Sequence, residues 1–181
     1  NASDAAGAAE RAGMRALASA CVVLTSLLSA QEPRFNLVLP QLQVTHRNQA
    51  LSLLTMEIAG VIPCAQHVML ERFLAREQTQ SSGVGDGVAI PHLQISQLER
   101  PFGAIATLKQ PVDFNAQDNR AVDLIFVLLS PERDGTLHLR RLAGISRLLR
   151  NADLCEKIRD TADRDIIRAL LLAPEGWLLA A

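Results

Sequence analysis

The sequence predicts an α/β fold, a single domain built on a mixed β-sheet with helices on both faces. Three observations predict it. Helical patterns come before, between and after short apolar strand-like runs. Those runs, Val88–Ile90, Phe102–Leu108 and Val122–Leu129, are bounded by glycine, proline and polar residues. At 181 residues the chain can bury one substantial core, and it holds no internal repeat, low-complexity linker or second domain.

The elements follow in order. Residues 1–20, rich in Ala with Gly7 and Gly13, read as an extension, native or left by cloning, either a frayed helix or disordered. Met14-Arg15 followed by Ala16–Leu28 has the outline of a signal peptide, but the run is too short and too interrupted by Ser and Thr to span a bilayer. Phe35–Leu39, between Pro33 and Pro40, suits an edge strand. Thr45 is placed to cap a helix running to about Gly60, with Ala50, Leu53, Leu54 and Ile58 on one face. Cys64 to about Gln78 repeats the helical period through Val68, Phe73 and Leu74. After the three strand-like runs, His138–Arg150, Asp153–Arg159 and Asp165–Leu172 read as helices. The domain is thus expected over residues 21–173, with 174–181 as a short apolar tail whose Trp177 packs on the body.

Composition narrows the function classes. Apolar residues make up 49% and charged residues 20%, an ordinary globular balance. A net charge of −1 provides no field to draw the chain to nucleic acid or to an acidic membrane. Cys21, Cys64 and Cys155 are odd in number and lack a C-x-x-C spacing, so they read as small buried hydrophobes in a reducing cytoplasm.

The chemistry-bearing stretch is Ser81–His92, SSGVGDGVAIPH. Gly83, Gly85 and Gly87 alternate, which permits positive φ and close backbone approach. They do not fit the G-x-G-x-x-G dinucleotide fingerprint, because a strand follows where a helix should. Pro91 cannot donate to a ladder, so the strand should end there and leave His92 at its mouth. A fixed, exposed imidazole is neutral and nucleophilic near neutral pH, which suits proton or phosphoryl transfer. His46 and His67 have no partner motif and are read as structural. His92, His138 and Asp86 could form a metal triad in principle, but no local His pair supports one, and no metal or cofactor is expected.

Arg76-Glu77 and the run Gly83-Val84-Gly85-Asp86-Gly87-Val88-Ala89-Ile90-Pro91-His92 resemble the phosphorylation-site segment of the fructose/mannitol family of phosphotransferase-system enzyme IIA domains. Asp118–Pro131 resembles the family's later strand and loop, and His138-Leu139 its second active-site histidine. Leu24–Leu28 resembles its opening helix, and the likeness runs to about Leu172, in the flavour of the nitrogen-regulatory branch. The resemblance implies that His92 accepts a phosphoryl group from an HPr-like or NPr-like carrier protein. It implies that His138 stabilises that group and that Arg76, sixteen residues before His92, binds its oxygens through a planar guanidinium. Gly85, Asp86 and Gly87 are read as supporting, with Asp86 orienting a histidine or forming an Asx-turn. Thr136 is placed to cap the helix bearing His138, so that free N–H groups face the phosphate. The implied function is a cytoplasmic phosphocarrier that regulates partners by its phosphorylation state. The alternatives are a sugar-specific enzyme IIA that passes phosphate to an enzyme IIB, and a binding module that is not phosphorylated. Where the family usually has glycine after the histidine, this chain has Leu93, expected at the rim that meets the carrier.

Overall fold

Along Val122–Pro131 the side chains divide between two cores, and that division sets the layers. Ile125, Val127 and Leu129 enter one core, whereas Leu124, Phe126 and Leu128 enter the other, as the two-residue period of a strand requires. The computed structural model describes residues 34–172. The readings made for residues 1–20, Cys21, Leu24–Leu28 and Trp177 lie outside the described residues. The strands are β1 (Arg34–Leu42), β2 (Gly83–Gly85), β3 (Val88–Ala89), β4 (His92–Ile95), β5 (Phe102–Val112) and β6 (Val122–Pro131). The helices are α1 (Arg47–Ala59), α2 (Gln66–Thr79), α3 (Leu137–Leu148), α4 (Ala152–Arg159) and α5 (Arg164–Leu172).

The sheet has the order β1-β5-β6-β3-β2, with β4 also on β6. It is mixed: β1–β5, β3–β6 and β4–β6 are parallel, and β5–β6 and β2–β3 are antiparallel. Pro40 lies in β1, an edge strand as the sequence suggested. Helices cover both faces. Ala50, Leu51, Leu54 and Ile58 of α1 join Met69 and Phe73 of α2 in one core. Ile145 and Leu148 of α3, Leu154 and Ile158 of α4, and Ile167 and Leu171 of α5 build the other. Among the described residues no helix is long and apolar enough to cross a membrane.

Several local readings need correction. The cap of α1 is His46, not Thr45: the His46 ring nitrogen accepts from the Gln49 amide, and Thr45 instead donates its own N–H to the Gln49 side chain. Thr136 makes no side-chain cap on α3, and the His138 amide is used by the Gly135 carbonyl. Val68 is exposed on α2 and Cys64 is only partly buried, whereas Cys155 is buried. The glycine run hides a hairpin. β2 and β3 pair across Asp86-Gly87, at φ 54° and 75°, the left-handed turn that an Asp-Gly dipeptide favours.

The position of His92 also differs. β3 does stop before Pro91, but His92 opens β4 instead of lying beyond the sheet. Val88 faces Leu124 and His92 faces Leu128, so β3 and β4 keep one offset along β6. They are one strand with a gap at Ile90-Pro91, and the Pro91 carbonyl still accepts from the Leu128 amide. Because faces alternate, placing His92 outward drives Leu93 inward. Leu93 is 2% exposed, within the core under α1 and α2, and offers nothing to a carrier's rim.

Leu93→Ala should therefore act as a core truncation and lower the unfolding free energy by about 2–5 kcal/mol in urea titrations. A loss below about 0.5 kcal/mol, the range of ordinary surface positions, would contradict its placement.

Candidate active site

The gap in the strand positions the first histidine. A carbonyl oxygen can only accept, so the 2.9 Å contact between His92 Nδ1 and the Ile90 carbonyl requires a proton on Nδ1. An arginine can only donate, so the 3.1 Å contact from Arg76 Nη2 requires a lone pair on His92 Nε2. Both partners select the same neutral tautomer. His92 thus presents an unprotonated Nε2 beside a guanidinium.

Helix α2 supplies two arginines one turn apart. Arg76, in its last turn, reaches His92, and Arg72 Nη2 donates to the Gln94 carbonyl of β4 at 2.8 Å. Both therefore fasten β4 to the same helix. Next to Arg76, the buried Glu77 carboxylate accepts the Ser82 amide with both oxygens, at 3.1 and 3.2 Å. Arg47 of α1 lies 3.7 Å from that carboxylate. Glu77 so ties the end of α2 to the turn that leads into β2. A cavity of about 170 Å³ opens between these elements, lined by Arg76, Ser82, Val84, His92 and Leu142 among others.

The second histidine comes from α3. The rings of His92 and His138 have centroids 5.3 Å apart, inclined at 41°. His138 is 6% exposed, and its Nδ1 lies 2.9 Å from the hydroxyl of Ser130, at the end of β6. Arg141 Nη1 donates to the same hydroxyl at 3.3 Å and to the Asp134 carboxylate at 2.7 Å. The structure thus brings His92, His138 and Arg76 together. Ser130 and Arg141 were missed in sequence. Their only signal was a serine near the end of an apolar strand-like run and an arginine three residues after His138.

Asp86 does not orient a histidine. Its carboxylate meets Arg120 at 3.0 Å, and its amide donates to Asp118 at 2.8 Å. Gly85 and Gly87, at φ 101° and 75°, shape the hairpin end, and a Cβ on Gly87 would come within 2.9 Å of Arg159 Nη2. Arg159 closes that corner by donating to Asp123 at 2.8 Å and to the Asp86 carbonyl at 2.9 Å. The three supporting residues therefore build the turn and take no part in the histidine cluster. Among the described residues no group of three His, Cys, Asp or Glu side chains could hold a metal ion.

Burial holds both imidazoles neutral. For His92 burial lowers the pKa, the Ile90 hydrogen bond opposes this, and the Arg76 charge lowers it further. For His138 burial, then the neighbouring His92, Arg76 and Arg141, push it down to about 4. A lone pair is therefore available on His92 at neutral pH.

Residues 34–173 match the family model described as "Phosphoenolpyruvate-dependent sugar phosphotransferase system, EIIA 2". The chain belongs to this family. It is 41% identical over 137 residues to a nitrogen regulatory protein of Bradyrhizobium diazoefficiens, covering 76% of this chain and 90% of that one. It is 32% identical over 102 residues to the fructose-specific EIIA component of Haloferax volcanii, covering 56% and 66%. The crystal structure of the nitrogen regulatory protein IIA-Ntr from Neisseria meningitidis superimposes with a TM-score of 0.71 at 28% identity, over 80% of this chain and 99% of that one. This EIIA-family chain is a component of a phosphotransferase system, and membership implies phosphotransferase activity in general terms.

The unphosphorylated protein should show a His92 titration midpoint below the ordinary value of about 6.5, and a His138 midpoint about 4. The unfolded chain then binds more protons than the folded one across that interval. Stability should fall as the pH drops below about 6.5, and for His138 the loss is complete below its folded midpoint. Histidine NMR titration alongside urea unfolding at several pH values checks both. An unshifted His138 midpoint would show its ring to be solvated.

Proposed function

We propose that His92 accepts a phosphoryl group through Nε2 from a phosphohistidine on an HPr-like or NPr-like carrier, and that the phosphorylated and free forms act differently on regulatory partners in the cytoplasm. The observation that carries this reading is the pair of contacts on His92. Its Nδ1–H is held by the Ile90 carbonyl while Nε2 keeps a lone pair 3.1 Å from Arg76. The 41% identity to a nitrogen regulatory protein supports the regulatory branch over the sugar branch.

The step balances without a separate base. The Nε2 lone pair of His92 forms a bond to phosphorus as the carrier's P–N bond breaks. The electron pair of that bond returns to the carrier's ring nitrogen. When the carrier's other ring nitrogen bears a proton, its ring leaves as neutral imidazole. His92 becomes an N-phosphoimidazolium whose Nδ1–H stays on the Ile90 carbonyl. No proton has to move, and one P–N bond replaces another, so the transfer is nearly isoenergetic and reversible. Catalysis then rests on positioning and on neutralising the equatorial oxygens. Arg76 is placed for that neutralisation, and turning from Nε2 to two phosphoryl oxygens suits its planar fork.

Incubation with phosphoenolpyruvate, enzyme I and a carrier, followed by intact mass measurement, should add one phosphoryl group. The adduct should be labile in acid and stable in base, because protonation turns the ring nitrogen into a leaving group. His92→Ala should abolish the gain, and full labelling of that variant would overturn the assignment. Arg76→Ala should slow transfer by about 10- to 1,000-fold, the range of one lost electrostatic contact, while the unfolding free energy falls by no more than about 1 kcal/mol.

A further inference from the structure

We propose that Ser130 and Arg141 act as positioning residues that hold His138 in the tautomer protonated on Nε2, making it a hydrogen-bond donor toward a phosphoryl group on His92. The proposal rests on the reading of His92 as the acceptor, but its central measurement does not require phosphorylation.

The argument follows the donors. Arg141 carries its proton at any physiological pH and can only donate. Its Nη1 donates to the Asp134 carboxylate and to the Ser130 hydroxyl oxygen. Ser130 is fully buried and Arg141 is 7% exposed, so solvent does not rearrange this chain. One lone pair of the serine oxygen is therefore committed to a cation. Two arrangements remain for the 2.9 Å contact with His138 Nδ1.

In the first, Nδ1–H donates to the serine oxygen. That oxygen would then receive two donors, and its own proton would need an acceptor in a buried place. His138 Nε2 would carry a bare lone pair, which repels phosphoryl oxygens. In the second, the serine hydroxyl donates to a bare Nδ1. Donors then run head to tail from Arg141 to Ser130 to His138. Each bond polarises the next, and the guanidinium makes the hydroxyl a stronger donor. The ring proton must then sit on Nε2. Because Nδ1 is occupied by Ser130, Nε2 is the only nitrogen that His138 can offer to the site.

The two rings would thus carry opposite tautomers 5.3 Å apart. His92 is bare on Nε2 and can attack. His138 bears its proton on Nε2 and can donate. A third cation, on His138, is disfavoured by burial and then by the neighbouring His92, Arg76 and Arg141. A neutral donor is what the site can hold. Asp134 completes the arrangement by compensating the buried guanidinium.

The test is two-bond nitrogen–proton correlation NMR on histidine-labelled, unphosphorylated protein at pH 7.5. Expected are a protonated Nε2 on His138 and a protonated Nδ1 on His92. A protonated Nδ1 on His138 in the wild-type protein would overturn the proposal, whether or not the protein is ever phosphorylated. Ser130→Ala should give His138 a mixture of tautomers. It should also slow phosphoryl transfer about three- to tenfold, the effect of one hydrogen bond, without raising KM for the carrier. Ser130→Thr, which keeps the hydroxyl, should restore the tautomer and the rate. In a His138→Gln background, whose amide donates without help from a hydroxyl, Ser130→Ala should cost little more. A Ser130→Ala protein that keeps both tautomer and rate would return Ser130 to a packing role. A wild-type protein that shows the expected tautomers yet takes up no phosphoryl group would instead refute the reading of His92.

Discussion

Two short segments pair with β6 in one register and leave a gap between them at Ile90-Pro91, and the chemistry of the site depends on that gap. In an unbroken strand each carbonyl belongs to a ladder. Proline removes a donor on the side facing β6, and the Ile90 carbonyl, on the opposite side where its amide donates to the Ser82 carbonyl, serves the ring two residues on. A backbone carbonyl cannot change its role, so it fixes the tautomer of His92 more firmly than a side chain would. The strand on either side is anchored within the sheet, which keeps the ring from swinging.

Around that gap the fold concentrates positive charge without burying it uncompensated. Arg141 has Asp134, and Arg47 lies near Glu77. Arg72 is spent on a β4 carbonyl. Arg76 is exposed, and its observed partner at the site is an uncharged ring nitrogen. A guanidinium set against a neutral imidazole gains most when an anion arrives between them. Under the proposed function this favours a phosphoryl group over the empty site, while burial lowers the pKa of both rings. Glu77 does not counter Arg76; it spends both oxygens on the Ser82 amide and so fixes where α2 ends.

Much of the fold was legible because it rests on periodicity. The apolar strands at Phe102 and Val122, the helices after them and the two-faced burial all follow from where apolar residues recur. What failed were readings that depended on a neighbour distant in sequence. Thr45 was read as the cap, but Gln49 engages both neighbours, its side chain taking the Thr45 amide while its own amide donates to the His46 ring. β4 was missed although His92-Leu93-Gln94-Ile95 alternates polar and apolar residues, because Pro91 was read as the end of the strand; pairing with β6 carries the strand past it. Leu93 was misplaced for the same reason, since its direction is set by the alternation that this pairing imposes.

The sequence by itself determined the fold class, a mixed sheet covered on both faces, and through its resemblance to the family it singled out His92, His138 and Arg76 as candidates, because apolar period and short motifs are written along the chain. Tertiary structure alone decided which nitrogen of each ring is engaged. That depends on a carbonyl freed by a strand gap and on a serine and an arginine brought to His138 from β6 and α3. Hydrogen-bond direction is a property of atoms that meet in space, and residues with no shared pattern in the chain settle it only when the sheet and helices have closed around them.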